Sequence, residues 1–362
     1  MLIRNPIFLK TKKKLDEIKC IFVQMSQIEI NRVLEVLDFN DKLSQSTLFY
    51  TSKKYNSSEL FFEELLTLNT AKNLGATAVY FRRFAENQSS KPQLFIFDNT
   101  RKSFTPEKLA ELHRKIWSSG IVPLYYVFDD TNINIFDARK HVDYDKSSRA
   151  ISVEPFKCLP IVTDSYEEHQ KYSARLFANG TFWEQKHVEN HFLSKESSEN
   201  KLIEELKSVR THFIKESGIN SKLAHQLLVL SILVKYLEER KDEHGNHVFP
   251  SDYFLKYSGA TSFCEVLRAG KVVDLFDDLS SHFNGKIFEL NTKAKQILSS
   301  ADLSKLANYL DANSDKGQLV LWPLYSFEYI PVELISRIYE EFVEQRKDAV
   351  IYPHPSCPFN GR

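Results

Sequence analysis

The chain has 362 residues, of which 42% are hydrophobic and 27% charged. That length accommodates two domains, each with its own core, and that composition excludes a disordered or fibrous chain. Lys and Arg number 48 against 48 Asp and Glu, so no net field steers the protein towards nucleic acid or membrane, and any polyanion contact has to come from local patches.

Residues 58–74 are predicted to form a helix, with Leu60, Phe61, Leu65, Leu68 and Leu74 near helical spacing and Gly75 as its stop. A strand is expected over 76–82, and a second, opened by Pro92, over 93–97, short and apolar on both faces. Thr105 and Pro106 signal the start of a helix that carries Leu109, Leu112, Ile116 and Trp117 inward and ends at Gly120. Residues 122–128 and 132–136 are β-rich runs joined at Asp129-Asp130-Thr131. This order predicts an α/β first domain with a mixed sheet over 1–150. Beyond Ala150 the pattern turns helical, with helices expected over 167–177, 201–216, 222–241, 271–283, 302–310 and 332–345. The resulting organisation is an α/β domain, an all-α connector over 151–350, and an aberrant tail over 351–362.

Cys20, Cys158, Cys264 and Cys357 lie far apart without Cys-x-x-Cys spacing, which fits a reducing cytoplasm better than a disulfide framework. The apolar stretch 223–237 is too short to span a bilayer, so no membrane association is expected. Basic patches that suit DNA are Lys10, Lys12, Lys13 and Lys14, and Arg82 and Arg83 with Arg101 and Lys102.

The run from Leu321-Trp322-Pro323-Leu324-Tyr325 through Pro331 to Phe342 resembles the segment that leads into the catalytic domain of type IIG adenine-specific DNA methyltransferases. The helix-to-strand passage from Leu112 through Trp117 to Phe128 and the block from His282 through Phe283 to Leu290 resemble two further segments of that class, in the same order. In that class a Tyr-Thr-Pro-x-x-Leu-Val segment then opens the S-adenosylmethionine domain. Here Tyr352 is followed by Pro353-His354-Pro355-Ser356-Cys357. Read from the second base of the Tyr352 codon, codon degeneracy permits Thr-Pro-(Ile or Thr)-Leu-Leu-Val, so a frameshift near Tyr352 is expected. The resemblance implies double-stranded DNA as partner, S-adenosylmethionine as the cofactor of the full-length family, and a methyltransferase domain or subunit as neighbour. The alternative reading is a separate defence subunit that binds a methyltransferase in trans through the apolar faces of helices 222–241 and 332–345.

The same class implies a nuclease-like first domain of the PD-(D/E)xK kind, whose two carboxylates hold Mg²⁺ while a Lys assists the attacking water. The first acid position falls on Thr77, the second on Asp98 and the Lys on Thr100, so two of three positions fail and an inactive scaffold is expected. An active Mg²⁺-dependent endonuclease requires Glu63 or Glu64, with Lys102, to converge on Asp98. No Gly-x-Gly exists for S-adenosylmethionine, and Asn5-Pro6-Ile7-Phe8 reads as a turn rather than a base-receiving loop. Glu184, His187 and His191 have the spacing of a helical metal triad but read as a polar face, and His244-Gly245-Asn246-His247 as a turn.

Overall fold

The structure, a computed structural model, describes residues 34–39, 47–56, 60–84, 90–145, 147–148, 150–162, 167–185, 188, 198–217, 219–241, 245–283, 287–311 and 324–343. The tail 351–362 and its register, Lys10 to Lys14, Asn5 to Phe8, His187, His191 and His244 lie outside these residues. The chain divides into two compact units. Unit 1 comprises Met1–Lys201 with Pro323–Ser326, and unit 2 comprises Leu202–Trp322 with Phe327–Arg362.

Unit 1 is mixed α/β. Strands β1 (Leu48–Tyr50), β2 (Ala78–Arg82), β3 (Lys91–Asp98), β4 (Leu124–Phe128), β5 (Asn132–Asp137) and β8 (Lys157–Pro160) form one sheet in the order β1-β2-β3-β4-β5-β8. Only β3 and β4 run parallel, and every other neighbour pair is antiparallel. The run Leu94–Phe97 of β3 and the whole of β4 are apolar and buried because both faces are covered, whereas edge strands such as β8 are half exposed. Strands β6 (Asp143–Asp145) and β7 (Ala150–Ser152) make a separate ribbon.

Helix α1 (Phe62–Asn73) leads into β2, and α2 (Pro106–Ser119) connects β3 to β4, a crossover that parallel strands require. The ends of α2 follow from its sequence. The Thr105 hydroxyl accepts from Lys108 N–H, Pro106 takes the first helical position, and Gly120 closes the helix at φ 60°. One face of the sheet packs Tyr80, Ile96, Tyr126 and Ile135 against Phe177 and Phe182. On the other strand register Tyr125 stacks on Phe136 at 4.8 Å and meets Phe97 edge-on.

The sheet does not end at residue 150, since β8 completes it. The helix predicted over 167–177 is two short helices, α3 (Glu167–Gln170) and α4 (Ala174–Asn179), interrupted where Tyr172 packs into the core and accepts a hydrogen bond from Tyr126. Leu324, Tyr325 and Ser326 belong to unit 1. Tyr325 lies 4.6 Å from Trp117, its carbonyl accepts from Arg114, and Ser326 N–H donates to the Ser118 hydroxyl.

Unit 2 is helical: α5 (Ser198–Ser217, which begins at the end of unit 1), α6 (Ser221–Glu239), α7 (Phe263–Arg268), α8 (Val272–His282), α9 (Thr292–Ser300), α10 (Ser304–Leu310) and α11 (Val332–Val343). Asn220 caps α6 by accepting from Leu223 N–H. At the other end Glu238 accepts from Phe263 N–H and Glu239 from Phe327 N–H, while the half-buried Lys235 pairs with Glu238. Most apolar residues of α6, among them Leu223, Leu227, Leu228, Leu230, Ile232 and Val234, are buried, while Val229 and Leu233 are half-buried. Among the described residues the largest exposed apolar side chains cluster at Phe61, Phe62 and Leu66 around the start of α1. No helix among the described residues is long and apolar enough to cross a membrane.

Candidate functional site

The end of the sheet where β3 and β4 finish gathers the three positions of the expected metal site. The Thr77 hydroxyl accepts from Asp98 N–H at 3.1 Å, and Thr77 N–H donates to the Ile96 carbonyl. Asp98 Oδ1 accepts from Thr100 N–H at 2.9 Å and from the Thr100 hydroxyl at 2.6 Å. Thr77, Asp98 and Thr100 are therefore side by side, with a single carboxylate among them. That oxygen is engaged by its own turn, the usual local role of an Asp two residues before a loop N–H. A divalent ion needs several oxygen ligands with matching charge, and two hydroxyls with one occupied carboxylate do not fit Mg²⁺. Asp129, just beyond β4, is likewise spent on its turn, accepting from Thr131 and Asn132 N–H. Partial burial raises its pKa, but these bonds outweigh that and hold it below the usual carboxylate range.

Glu64 is not at this end. It is buried in the first turn of α1, where it accepts from Phe61 N–H at 3.0 Å, from Ser90 at 2.5 Å, and from Arg83 through two bonds of 3.1 and 3.0 Å. Burial pushes the carboxyl up, but the Arg83 and Ser90 hydrogen bonds outweigh it and keep the group below its ordinary value. Ser90 precedes β3 and Asp98 ends it. The strand rise puts those residues on the order of 25 Å apart, so the two carboxylates cannot share an ion. Glu63 is exposed on α1. The convergence of Glu64 on Asp98 that an active endonuclease would require is therefore not present. Lys102 is exposed in the loop after Asp98, in the left-handed region at φ 50°. Among the described residues no three His, Cys, Asp or Glu side chains are placed to hold a metal ion.

The basic pairs separate in the same way. Arg101 and Lys102 follow the end of β3, whereas Arg82 sits across from Lys91 at its start. Arg83 is tied to Glu64 and lies over the Phe49 ring. Arg82 donates to the Asn179 carbonyl beside Gly180.

At the start of β3 and β4 lies an open groove of about 390 Å³ lined by Lys91, Pro92, Gln93, Ile121, Pro123, Arg139 and Trp183. Trp183 stands in a single 3₁₀ turn, Thr181–Glu184, positioned by Gly180 at φ 85°, a conformation that glycine adopts without steric cost. Its indole N–H donates to Gln93 Oε1 at 3.3 Å, and the Arg139 guanidinium lies 5.5 Å from the ring centroid. Arg139 is turned to this place by Asp137, which accepts its backbone N–H at 3.0 Å and faces its Nε at 3.5 Å. The segment behind it is pinned to α2: Trp117 Nε1 donates to the Arg139 carbonyl and the His113 ring meets the Lys140 carbonyl at 2.7 Å. A carbonyl only accepts, so His113 Nε2 carries the proton and Nδ1 accepts from the Tyr125 hydroxyl at 2.8 Å. Burial drives His113 down to about 4, so it is neutral at pH 7.

Sequence reading missed this groove because its walls come from residues 91–93, 121–123, 139 and 183, which share no local period. The only linear signal is a Trp just after a glycine turn. No family model, no curated protein and no solved structure matches the chain.

Proposed function

We propose that the chain is the N-terminal part of a type IIG-like restriction–modification adenine methyltransferase, in which unit 1 is a nuclease-like scaffold that positions double-stranded DNA without cutting it. The observation that carries this reading is the content of the expected metal site: Thr77, Asp98 and Thr100 meet with one carboxylate, while Glu64 is locked to Arg83 at the far end of β3. Chemistry that needs two carboxylates on one Mg²⁺ has no support there. The positive groups at the other end remain available for phosphates. Neither Arg82 nor Lys91 makes an ion pair among the described residues, so a phosphate meets no competing carboxylate there, and Arg82 gives up at most its bond to the Asn179 carbonyl. Methyl transfer and S-adenosylmethionine belong to the methyltransferase domain of the family, since the chain has no Gly-x-Gly loop to admit that cofactor.

The test is a titration of the full chain with labelled duplex DNA at several salt concentrations, together with a Mg²⁺ cleavage assay. The expected result is binding that weakens with salt by a log–log slope of roughly 2 to 3, as two or three phosphate contacts give, and intact DNA after incubation with Mg²⁺. DNA cleavage that disappears in Asp98→Ala overturns the scaffold reading, and duplex affinity unmoved by Arg82→Ala or Lys91→Ala overturns the assignment of the contact surface.

A further inference from the structure

We propose that the Trp183 groove takes one unstacked nucleotide of a DNA strand, its base against the indole and its phosphate between Lys91 and Arg139. This rests on the DNA reading above and adds to it a defined subsite with a chemical class of ligand.

Four features of the groove converge on a flat, anionic group. The indole is fixed at its N–H by Gln93 and by edge contacts with Phe177 and Phe182 at 6.4 and 5.0 Å, so it offers a preorganised plane rather than a mobile side chain. The Arg139 guanidinium already lies over that ring, and a base extends such a guanidinium–indole stack. The floor is Pro92, Ile121 and Pro123, apolar surface that suits the face of a base better than water. The walls bring two cations, Lys91 and Arg139, of which Arg139 also faces Asp137.

Gln93 supplies the polar element. Its oxygen accepts from Trp183, and its amide nitrogen reaches only the Lys91 and Pro92 carbonyls, at 3.3 and 3.4 Å. Those bonds are long for N–H···O, so an acceptor on a base edge can compete for the amide N–H groups while Oε1 keeps its bond to Trp183. A volume of about 390 Å³ open on one side suits one nucleotide and is too small for a duplex. Bases inside a duplex present no face to stack on, so the ligand has to be unpaired or turned out of the helix.

A nucleotide unit comes either from a strand or from a free mononucleotide, and the arms of the experiment separate the two. The emission of the full chain is titrated with a duplex, the same duplex carrying one unpaired central base, the matching single strand, and deoxyadenosine monophosphate. The expected result is tighter binding, roughly 10-fold, of the two unpaired-base DNAs over the perfect duplex, with quenching of tryptophan emission. Trp183→Phe should abolish most of that quench, because Trp183 is the tryptophan that lines the groove. Trp183→Ala should erase the 10-fold preference and leave duplex binding unchanged. Should Trp183→Ala fail to fold, Gln93→Ala and the Phe variant carry the test.

Equal affinity for paired and unpaired DNA, with duplex binding intact and no quench, overturns this subsite and leaves the DNA reading standing. Failure of every DNA to bind overturns both. Mononucleotide binding as tight as the strand overturns the strand as the source of the ligand.

Discussion

The two ends of β3 present opposite chemistry. Where it finishes, Asp98 and the nearby Asp129 are acids whose Oδ1 atoms are consumed by the N–H groups of the loops they open. Where it starts, Lys91 and Arg82 are cations that no described acid neutralises, beside an indole held in place by a buried amide. The lesson is that a polar group already satisfied by its own loop is architecture, while charge that the fold leaves unused is where a partner can bind. The usual expectation that ligands sit beyond the carboxyl ends of parallel strands has little hold here, because that rule belongs to sheets of many parallel strands and this one has a single parallel pair.

The largest loss is expected at Glu64. Replacing it by Ala strips Arg83, Ser90 and Phe61 N–H of one shared acceptor, and the cost of breaking such a buried pair is about 3 kcal/mol. Chemical denaturation of Glu64→Ala should show that loss. The pH dependence has a definite sign. The folded-state pKa lies below the ordinary value, so the stability from Glu64 is present above that ordinary value and is lost as pH falls through the folded one. If instead Glu64→Ala leaves stability intact, the carboxylate is not structural and its assignment to the scaffold fails.

The second effect is nearly as large and concerns the support of the groove end. His113 sits at about 4 in the folded protein against 6.5 when exposed, so the folded state resists protonation. Stability is therefore full above pH 6.5 and declines as pH falls from there towards 4, by about 3 kcal/mol from the size of the shift. Denaturation curves at pH 7 and pH 4.5 measure it, and His113→Gln should flatten the part of the decline that belongs to this residue. Protonation also sets a second N–H against the Tyr125 hydroxyl, which must then turn its lone pair to accept it, while Nε2–H keeps its bond to the Lys140 carbonyl.

Much of the frame of unit 1 was legible in the sequence and its groove was not. The Thr105-Pro106 start and Gly120 stop of α2, and the continuous apolar runs of β3 and β4, are signals written into neighbouring residues, and all three elements lie where expected. Edge strands β1 and β8 were missed, since a strand of three or four residues with one solvated side carries too few positions for a period. The adjacency of Thr77 and Asp98 followed from element order alone. Glu64 stayed open as a metal acid for the endonuclease alternative because a first-turn helix carboxylate reads alike whether it faces an ion or an arginine. Its partner Arg83 lies beyond the next strand, in the stretch read only as a basic patch.

A smaller perturbation tests how the groove end is packed. Gly180 has φ 85°, and a Cβ there would lie 2.3 Å from Arg82 Nη1. Gly180→Ala should cost about 1 to 2 kcal/mol from the left-handed backbone alone, and it must also displace the guanidinium from the Asn179 carbonyl. The double variant Gly180→Ala with Arg82→Ala separates the two terms. Its loss should fall short of the sum of the single losses, because the clash vanishes with the arginine. Strict additivity would mean that Arg82 moves aside freely.

The smallest effect is the most telling for the opposite end. Asp98→Ala removes one acceptor for Thr100 N–H and hydroxyl in a half-buried turn, while the Thr77 hydroxyl keeps its bond to the backbone N–H of residue 98. Expected destabilisation is about 1 kcal/mol, the worth of a local side-chain turn bond. Duplex affinity should be unchanged, since the altered carboxylate stands a full strand length from Lys91. Were Asp98 instead a ligand for a DNA-bound metal, its loss would abolish Mg²⁺-dependent tightening of DNA binding while hardly touching stability. Measuring affinity with and without Mg²⁺ in the wild type and in Asp98→Ala thus decides between a turn residue and a ligand, and independence from Mg²⁺ in both is the outcome that one occupied carboxylate between two threonines requires.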